Sequence, residues 1–111
     1  MATPVRLVAN SANSLADTIE TFYTAPAGGN GVIIDAFTAA NTGSVNASYK
    51  AYISSSTGDI QNPQEPFRIV VWGEADLGEG LINHLIPPGG RLSMECSAAN
   101  RIYFTVSGKE V

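Results

Sequence analysis

The chain has 111 residues, of which 44% are hydrophobic and only 14% are charged. A chain of this size buries about two-thirds of the surface of its unfolded form, which is enough for one domain spanning residues 1–111. Six basic residues against ten acidic ones give a net charge of −4, and their scatter argues against nucleic acid as a partner, because phosphate-binding surfaces need clustered Lys and Arg.

Eight segments rich in Val, Ile, Tyr, Phe or Thr are predicted to be strands. In chain order they are Val5–Ala9, Thr18–Thr24, Val32–Ala40, Val45–Ser54, Phe67–Trp72, Leu81–Ile86, Arg91–Ser97 and Arg101–Ser107. Turn residues separate nearly all of them, and Asn10–Asp17 is predicted to be a loop. About eight short strands with turns every ~8–12 residues predict an all-β fold, an antiparallel β-sandwich or jelly roll.

The predicted core consists of alternating apolar positions, because successive side chains of a strand point to opposite faces of its sheet. Two neighbouring strands supply most of it, and a third strand is expected to oppose them. The residues are Leu92, Met94 and Cys96, then Ile102, Phe104 and Val106, and opposite them Val45, Tyr49 and Ile53. Cys96 is the only cysteine, so no internal disulfide forms, and a buried inert thiol is expected.

The sequence offers few candidates for catalysis. His84 is the only histidine and is predicted to share one face of the strand Leu81–Ile86 with its apolar neighbours, without a nucleophile motif to support it. The acidic stretch Gly73–Gly80 lacks the spacing of a calcium loop and is expected to be solvated. The glycines of Gly28–Gly31 are expected to form a turn, because no phosphate-loop signature follows. No enzyme activity, metal or cofactor is therefore expected.

Exposed aromatic residues are the best candidates for contacts with a partner. Tyr52 and Tyr103 fall on the otherwise polar faces of their strands, which favours exposure, although a loop of the same chain could equally cover either ring. Trp72 is a third candidate, because aromatic rings suit both cores and interfaces. Together with Tyr23, these rings could also form a platform for a sugar.

Several stretches of the chain resemble small structural proteins of phages. Thr21–Gly28 reads TFYTAPAG, Val32–Gly43 reads VIIDAFTAANTG, and Ile86–Leu92 and Phe104–Gly108 are similar in style. In length and style the chain is most similar to the jelly-roll cement or staple proteins that decorate the heads of short-tailed bacteriophages. The same pattern of strands and turns occurs in tail and head–tail accessory proteins.

The resemblance implies a non-enzymatic virion protein made in the host cytoplasm, without a membrane-spanning segment. A decoration protein of this kind lies on the outer surface of the capsid as a homodimer across a two-fold axis. It bridges subunits of the major capsid protein and stabilises the DNA-filled head. A tail or head–tail accessory protein and a carbohydrate-binding β-sandwich remain the alternatives.

Two segments are expected to contact the capsid, because terminal and irregular segments adapt to partners. The first is an extended N-terminal arm, residues 1–9, whose contact residues are Val5, Arg6 and Leu7. The second is the long loop Ser54–Pro66. Removal of residues 1–9 is expected to abolish retention on the capsid and to leave the domain folded.

Overall fold

The structure, a computed structural model, describes residues 3–57 and 65–111. Within these ranges there is no helix, and the strands form two antiparallel sheets packed as a compact sandwich. The strands are β1 Thr3–Ala12, β2 Glu20–Thr24, β3 Val32–Asn41, β4 Ala47–Ser54, β5 Glu65–Val70, β6 Ala75–Asp76, β7 Leu85–Ile86, β8 Arg91–Cys96 and β9 Ile102–Glu110. The predicted all-β antiparallel sandwich of short strands is confirmed.

The two sheets place β1 and β5 on opposite sides of the sandwich. One sheet has the order β1-β9-β3-β6, with β7 also paired to β3, and the other has the order β2-β8-β4-β5. The edge strand β1 lies against β2 of the facing sheet, and the edge strand β5 lies against β6. Each side of the sandwich is therefore formed by one edge strand from each sheet.

The predicted core is confirmed for the strands β8 and β9. Leu92, Met94 and Cys96 and, on β9, Ile102, Phe104 and Val106 are all at most 1% exposed. The prediction for Val45 is wrong: this side chain is 54% exposed, because it lies in the turn before β4, and the inward row begins only at Ala47. Ile53 is half-buried, while Tyr49 is fully buried.

Aromatic packing joins the two sheets at the centre of the sandwich. The ring of Phe104, on β9, meets the rings of Phe22 and Tyr49, both on the facing sheet, at centroid distances of 5.5 Å. Phe37, on β3, lies 5.9 Å from Phe104 and 5.8 Å from Tyr49. Most of these pairs are edge-to-face or tilted, the arrangements that aromatic quadrupoles favour.

Several predicted strand boundaries differ from the structure. The segment Leu81–Ile86 is mostly a turn, closed by a hydrogen bond from His84 N to Leu81 O of 3.2 Å, and only its last two residues pair as a strand. β6 was not predicted because two residues are too short to show a period. Asn10–Ala12, predicted to be loop, belongs to β1, which accommodates a left-handed Asn10 with φ 51°. Trp72 lies beyond the end of β5.

In the residues that the structure describes, the N-terminal segment is a paired strand and not the extended arm that was predicted. β1 pairs with β9 from Thr3 opposite Glu110 to Ala12 opposite Tyr103. Leu7 is 6% exposed and Val8 4%, so the strand contributes side chains to the core and its loss would uncover β9. Of the predicted contact loop Ser54–Pro66, the two ends belong to β4 and β5, and residues 58–64 lie outside the described residues.

Replacing Phe104 by Ala is expected to lower the free energy of unfolding by about 3–5 kcal/mol, because a large cavity opens where four rings meet. Urea denaturation followed by circular dichroism measures the loss. Leu15→Ala is the matched control, since Leu15 is 60% exposed and should change stability by less than about 0.5 kcal/mol. Equal effects of the two substitutions would contradict the central place of Phe104.

Candidate functional site: an apolar edge

The strand β5 forms an uncovered edge of the four-stranded sheet. Within the described part of the chain, β5 pairs only with β4, and three consecutive pairs join Arg68 to Tyr49, Ile69 to Ser48 and Val70 to Ala47. Val70 points into the core and is 2% exposed. Because side chains alternate along a strand, Ile69 points outward. An unpaired edge of this kind presents backbone donors and acceptors to a partner.

Large apolar side chains are exposed along this edge. Four belong to β5 or follow it directly, and one lies in the adjacent turn between β3 and β4. They are Phe67 at 57%, Ile69 at 60%, Val71 at 42%, Trp72 at 59% and Val45 at 54% exposure. We call these five residues the apolar edge. Such a concentration marks an interaction surface, since scattered single residues are what ordinary protein surfaces show.

A buried amide holds the apolar edge in place. Asn41, the last residue of β3, is 3% exposed, and its Nδ2 donates to Val45 O and to Val70 O, both at 2.9 Å. Its Oδ1 accepts from Gly43 N at 2.9 Å. One side chain of the five-stranded sheet thus fixes both the β3–β4 turn and the end of β5, which carry the exposed apolar residues.

The outer face beside β5 carries a shallow depression of about 240 Å³. Residues from β5, from β4 and its preceding turn, and from the end of β8 surround it. They are Asn46, Ala47, Ser48, Phe67, Ile69 and Ser97. Its volume lies below the range of about 300–1,000 Å³ that is usual for small-molecule pockets. The depression suits a protruding side chain of a protein partner better than a bound metabolite.

The predicted contact residues do not form one surface. Trp72 is exposed and belongs to the apolar edge. Tyr52 is 5% exposed, so the prediction of an exposed ring is wrong: its hydroxyl donates to Glu95 Oε1 at 2.8 Å. Leu7 is also buried, since β1 is paired and this side chain points into the core. Tyr103 is half-buried on the other sheet.

The remaining two predicted contacts lie in a groove that crosses β1, β9 and β3 of the five-stranded sheet. Val5 is half-buried and Arg6 is exposed, and both line a groove of about 300 Å³. Its other residues are Pro4, Asp35, Ser107 and Gly108, and we call these six residues the β1 groove. Lys109 Nζ lies 3.7 Å from Asp35 Oδ1, so a cation already accompanies the carboxylate at this groove.

The aromatic platform for a sugar is not assembled. Tyr103 belongs to β9 in the five-stranded sheet, whereas Tyr52 belongs to β4 in the other sheet and Trp72 lies in the turn that follows β5. Trp72 N donates to Asn46 Oδ1 at 3.1 Å, which places Trp72 at the beginning of β4, about 20 Å along that strand from Tyr52 at ~3.3 Å per residue. Of the four rings predicted for the platform, Trp72 is exposed, Tyr52 is buried, and Tyr23 and Tyr103 are half-buried.

The residues considered for catalysis do not converge. His84 is exposed in a turn, and burial raises the pKa of the Cys96 thiol, which disfavours the reactive thiolate. Asp76 Oδ2 accepts from Tyr49 Oη at 2.5 Å and from Gly78 N at 3.1 Å. The described residues contain no cluster of three potential metal ligands.

The acidic loop has a structural explanation. Gly78 adopts φ 57°, and a side chain on it would overlap the ring of Phe37. This glycine lets the loop close over the core while Asp76 binds the Tyr49 hydroxyl. The stretch predicted to be a solvated acidic loop is therefore partly a cover of the sandwich.

Comparison with protein-family models, with curated proteins and with solved structures finds no match. Within the described ranges, the structure contains no helix with the length and apolar character needed to span a bilayer. The apolar edge and the β1 groove are therefore the features from which a function can be argued.

Asn41→Ala is expected to lower the free energy of unfolding by about 2–4 kcal/mol, because the partly buried carbonyl of Val45 and the buried carbonyl of Val70 lose their donor. Asn46→Ala is the control: it removes the single, exposed hydrogen bond to Trp72 N and should cost about 1 kcal/mol or less. Urea denaturation of both variants measures the difference. If the Asn41 variant lost no more unfolding free energy than the Asn46 variant, the Asn41 amide would not be what fixes the β3–β4 turn and the end of β5.

The raised pKa of Tyr52 predicts that the folded chain loses stability at high pH. Burial, together with the hydrogen bond to Glu95, raises the pKa of Tyr52 to about 12, whereas an unfolded tyrosine titrates near ~10. The folded state therefore retains a proton that the unfolded state has lost, and its stabilisation, complete below pH ~10, disappears as the pH rises towards 12.

Urea denaturation between pH 10 and 12 checks this expectation against Tyr52→Phe, which cannot titrate there. The difference in unfolding free energy between the wild-type chain and the variant should shrink as the pH rises. Parallel pH profiles would show that Tyr52 keeps an ordinary pKa.

Proposed function

We propose that the chain is a non-enzymatic structural protein of a phage virion, a decoration protein that binds subunits of the major capsid protein and stabilises the DNA-filled head. The observation that carries the proposal is the apolar edge, which is built for association with protein rather than for chemistry. The resemblance of the turn-and-strand segments to capsid cement proteins supplies the class of partner.

Burial of the apolar edge supplies the driving force for association. Each square ångström of apolar surface removed from water stabilises a complex by about 25 cal/mol before the costs of ordering. The low content of charged residues, 14%, reduces these costs, because few long flexible side chains lose rotamer freedom on contact. A chain with such a surface suits a permanent place in an assembly.

The arrangement of the two surfaces favours a bridging role. The apolar edge belongs to the end of the four-stranded sheet and the turn beside it, whereas the β1 groove crosses β1, β9 and β3 of the five-stranded sheet. Two attachment surfaces on different sheets allow one unit to connect two neighbours in a shell. Multiple weak contacts of this kind retain a decoration far better than any one of them.

Co-sedimentation with phage heads that lack the protein tests the proposal. Wild-type protein should bind to saturation at a fixed ratio to coat subunits, and loaded heads should survive heating that opens bare heads. Ile69→Lys should reduce retention at least ~10-fold, because a charge replaces an apolar contact. Leu15→Lys is the matched control, since both side chains are 60% exposed.

Two results would overturn the capsid assignment. Failure of the wild-type chain to bind heads, together with its recovery in tail or neck fractions, would make it a tail or head–tail accessory protein. Failure to bind any virion fraction, together with sugar binding that is lost in Trp72→Ala, would make it a carbohydrate-binding sandwich.

A further inference from the structure

We propose that the β1 groove binds a carboxylate side chain on an acidic segment of the coat subunit, and that Arg6 is the residue that binds it. The proposal rests on the proposed function in taking a coat subunit as the partner. It deepens that function by naming the chemistry of the second contact: the apolar edge binds by burial of apolar surface, whereas this groove binds by charge.

Two β-bulges shape the groove at one level of the five-stranded sheet. In β1 the register shifts directly after Arg6, and in β3 it shifts at Asp35. Ser107 of β9 lies between the two shifts, since it pairs with Arg6 on one side and with the residue after Asp35 on the other. Bulges bend a strand, re-aim its side chains and are frequent beside functional sites. Here they give the groove a cation from one neighbouring strand and a carboxylate from the other.

Arg6 is the cation of the groove that the described residues leave without a counter-charge. It is exposed, and no carboxylate of the described residues forms an ion pair with its guanidinium. Asp35, the carboxylate of the same groove, is instead accompanied by Lys109. A guanidinium offers five N–H donors in a planar fork, which matches a carboxylate through two parallel hydrogen bonds. Arg6 is therefore free to bind an acidic side chain of a partner.

Lys109 provides a second cation for the same carboxylate. Its Nζ lies 3.7 Å from Asp35 Oδ1, and both side chains are at least 35% exposed. This distance exceeds that of a hydrogen bond, and surface pairs of this kind stabilise little. On β9, Lys109 lies two residues from Ser107 on the same face, diagonal to Arg6 and within reach of a long side chain. An incoming carboxylate can therefore meet both cations.

The surrounding charges favour a carboxylate of a protein over a nucleic acid. The chain has ten acidic and six basic residues, a net charge of −4, so its overall field repels an extended polyanion. Binding along a phosphate backbone needs several clustered cations, and this groove is served by Arg6 and Lys109 with Asp35 beside them. Two positive charges against one negative charge leave a local excess of one, which suits a short acidic segment.

The size and lining of the groove also suit a side chain of a protein. Its volume of about 300 Å³ is at the lower limit for small-molecule pockets. Pro4 and Val5 give it an apolar rim, which can contact the aliphatic part of an acidic side chain. Ser107 adds a hydroxyl that can donate to a carboxylate oxygen. The groove thus offers donors and apolar contact to one or two residues of a partner.

Fluorescence anisotropy with a fluorescein-labelled hexaglutamate peptide tests the groove in the free wild-type chain. We expect saturable binding at about 20 mM NaCl that weakens at least ~5-fold at about 200 mM, because salt screens exposed charges. Arg6→Gln should weaken binding at least ~10-fold, and Arg6→Lys by less, since lysine keeps the charge without the planar fork. Arg101→Gln is the matched control, because it removes the same charge at the other end of β9, and it should change binding by less than ~2-fold.

Asp35→Asn should have an effect of the opposite sign. Without the carboxylate of the groove, Arg6 and Lys109 act on the peptide alone, so binding should become at least ~3-fold tighter. Asp17→Asn removes the same charge far from the groove and should leave binding unchanged. Circular dichroism confirms that each variant is folded. Weaker or unchanged binding by the Asp35 variant would overturn the proposal.

Three further results would overturn the assignment of a carboxylate ligand. The first is a wild-type chain that does not bind the peptide at about 1 mM. The second is an equal loss of binding in Arg6→Gln and Arg101→Gln, which would show an effect of net charge alone. The third is tighter binding of a duplex DNA oligonucleotide than of the peptide, which would make the groove a phosphate site.

The groove and the capsid role can fail separately. Arg6→Gln should reduce retention of the chain on phage heads, and Arg101→Gln should not. Heads that retained the Arg6 variant as firmly as the wild-type chain would overturn the coat subunit as the source of the carboxylate and leave the capsid role standing. A chain that bound the peptide through Arg6 and ignored heads would support the chemistry of the groove and overturn the capsid role.

Discussion

The position of the apolar edge depends on one buried amide. Asn41 belongs to the five-stranded sheet, yet both hydrogens of its Nδ2 go to carbonyls of the β3–β4 turn and of β5. A buried polar group must find partners or destabilise the fold, and here its partners are the two segments that carry the exposed apolar residues. Hydrogen bonds from a side chain inside the sandwich thus fix the position of the apolar edge at its surface.

The buried rows of β8 and β9 could be foreseen, and the reason is periodicity. On β8 and β9 the apolar residues occupy every second position, and one face of each strand is buried, so the sequence specifies the register directly. Phe104 lies on the buried face of β9 for this reason. The same argument applied to Val45 is wrong, because the alternation continues past the residue at which pairing begins, and a turn has no inner face.

The candidate site could not be foreseen from alternation. Residues 67–72 are apolar at every position except Arg68, so a period of two does not say which side faces the core. Such a continuous apolar run indicates a strand buried on both faces, and β5 instead lies at an edge with one face uncovered. The sequence did show that residues 67–72 are more apolar than a strand at a solvent-exposed edge needs to be. This high apolar content was the feature that could have indicated the candidate site.

The predictions for Tyr52 and for β1 were wrong for a different reason: parts of the chain distant in sequence contact these residues. A tyrosine on a polar face is exposed only if nothing lies over it, and Glu95 on the neighbouring strand instead accepts its hydroxyl. Likewise a terminal segment is free only if no strand edge receives it, and β9 pairs with Thr3–Ala12 along its length. Both outcomes depend on residues distant in the sequence, which local pattern does not reveal.

The edge strands of the two sheets connect the fold to the proposed function. A sandwich of two open sheets has four edges, and each is a potential site of uncontrolled pairing. Register shifts interrupt β1, β2 and β5, the last between Glu65 and Arg68, and β6 is only two residues long. What distinguishes β5 from the other edges is its exposed apolar side chains, Phe67 and Ile69, which destabilise the single chain in water. Burial of these side chains against protein would remove that cost, and the proposed association rests on this difference.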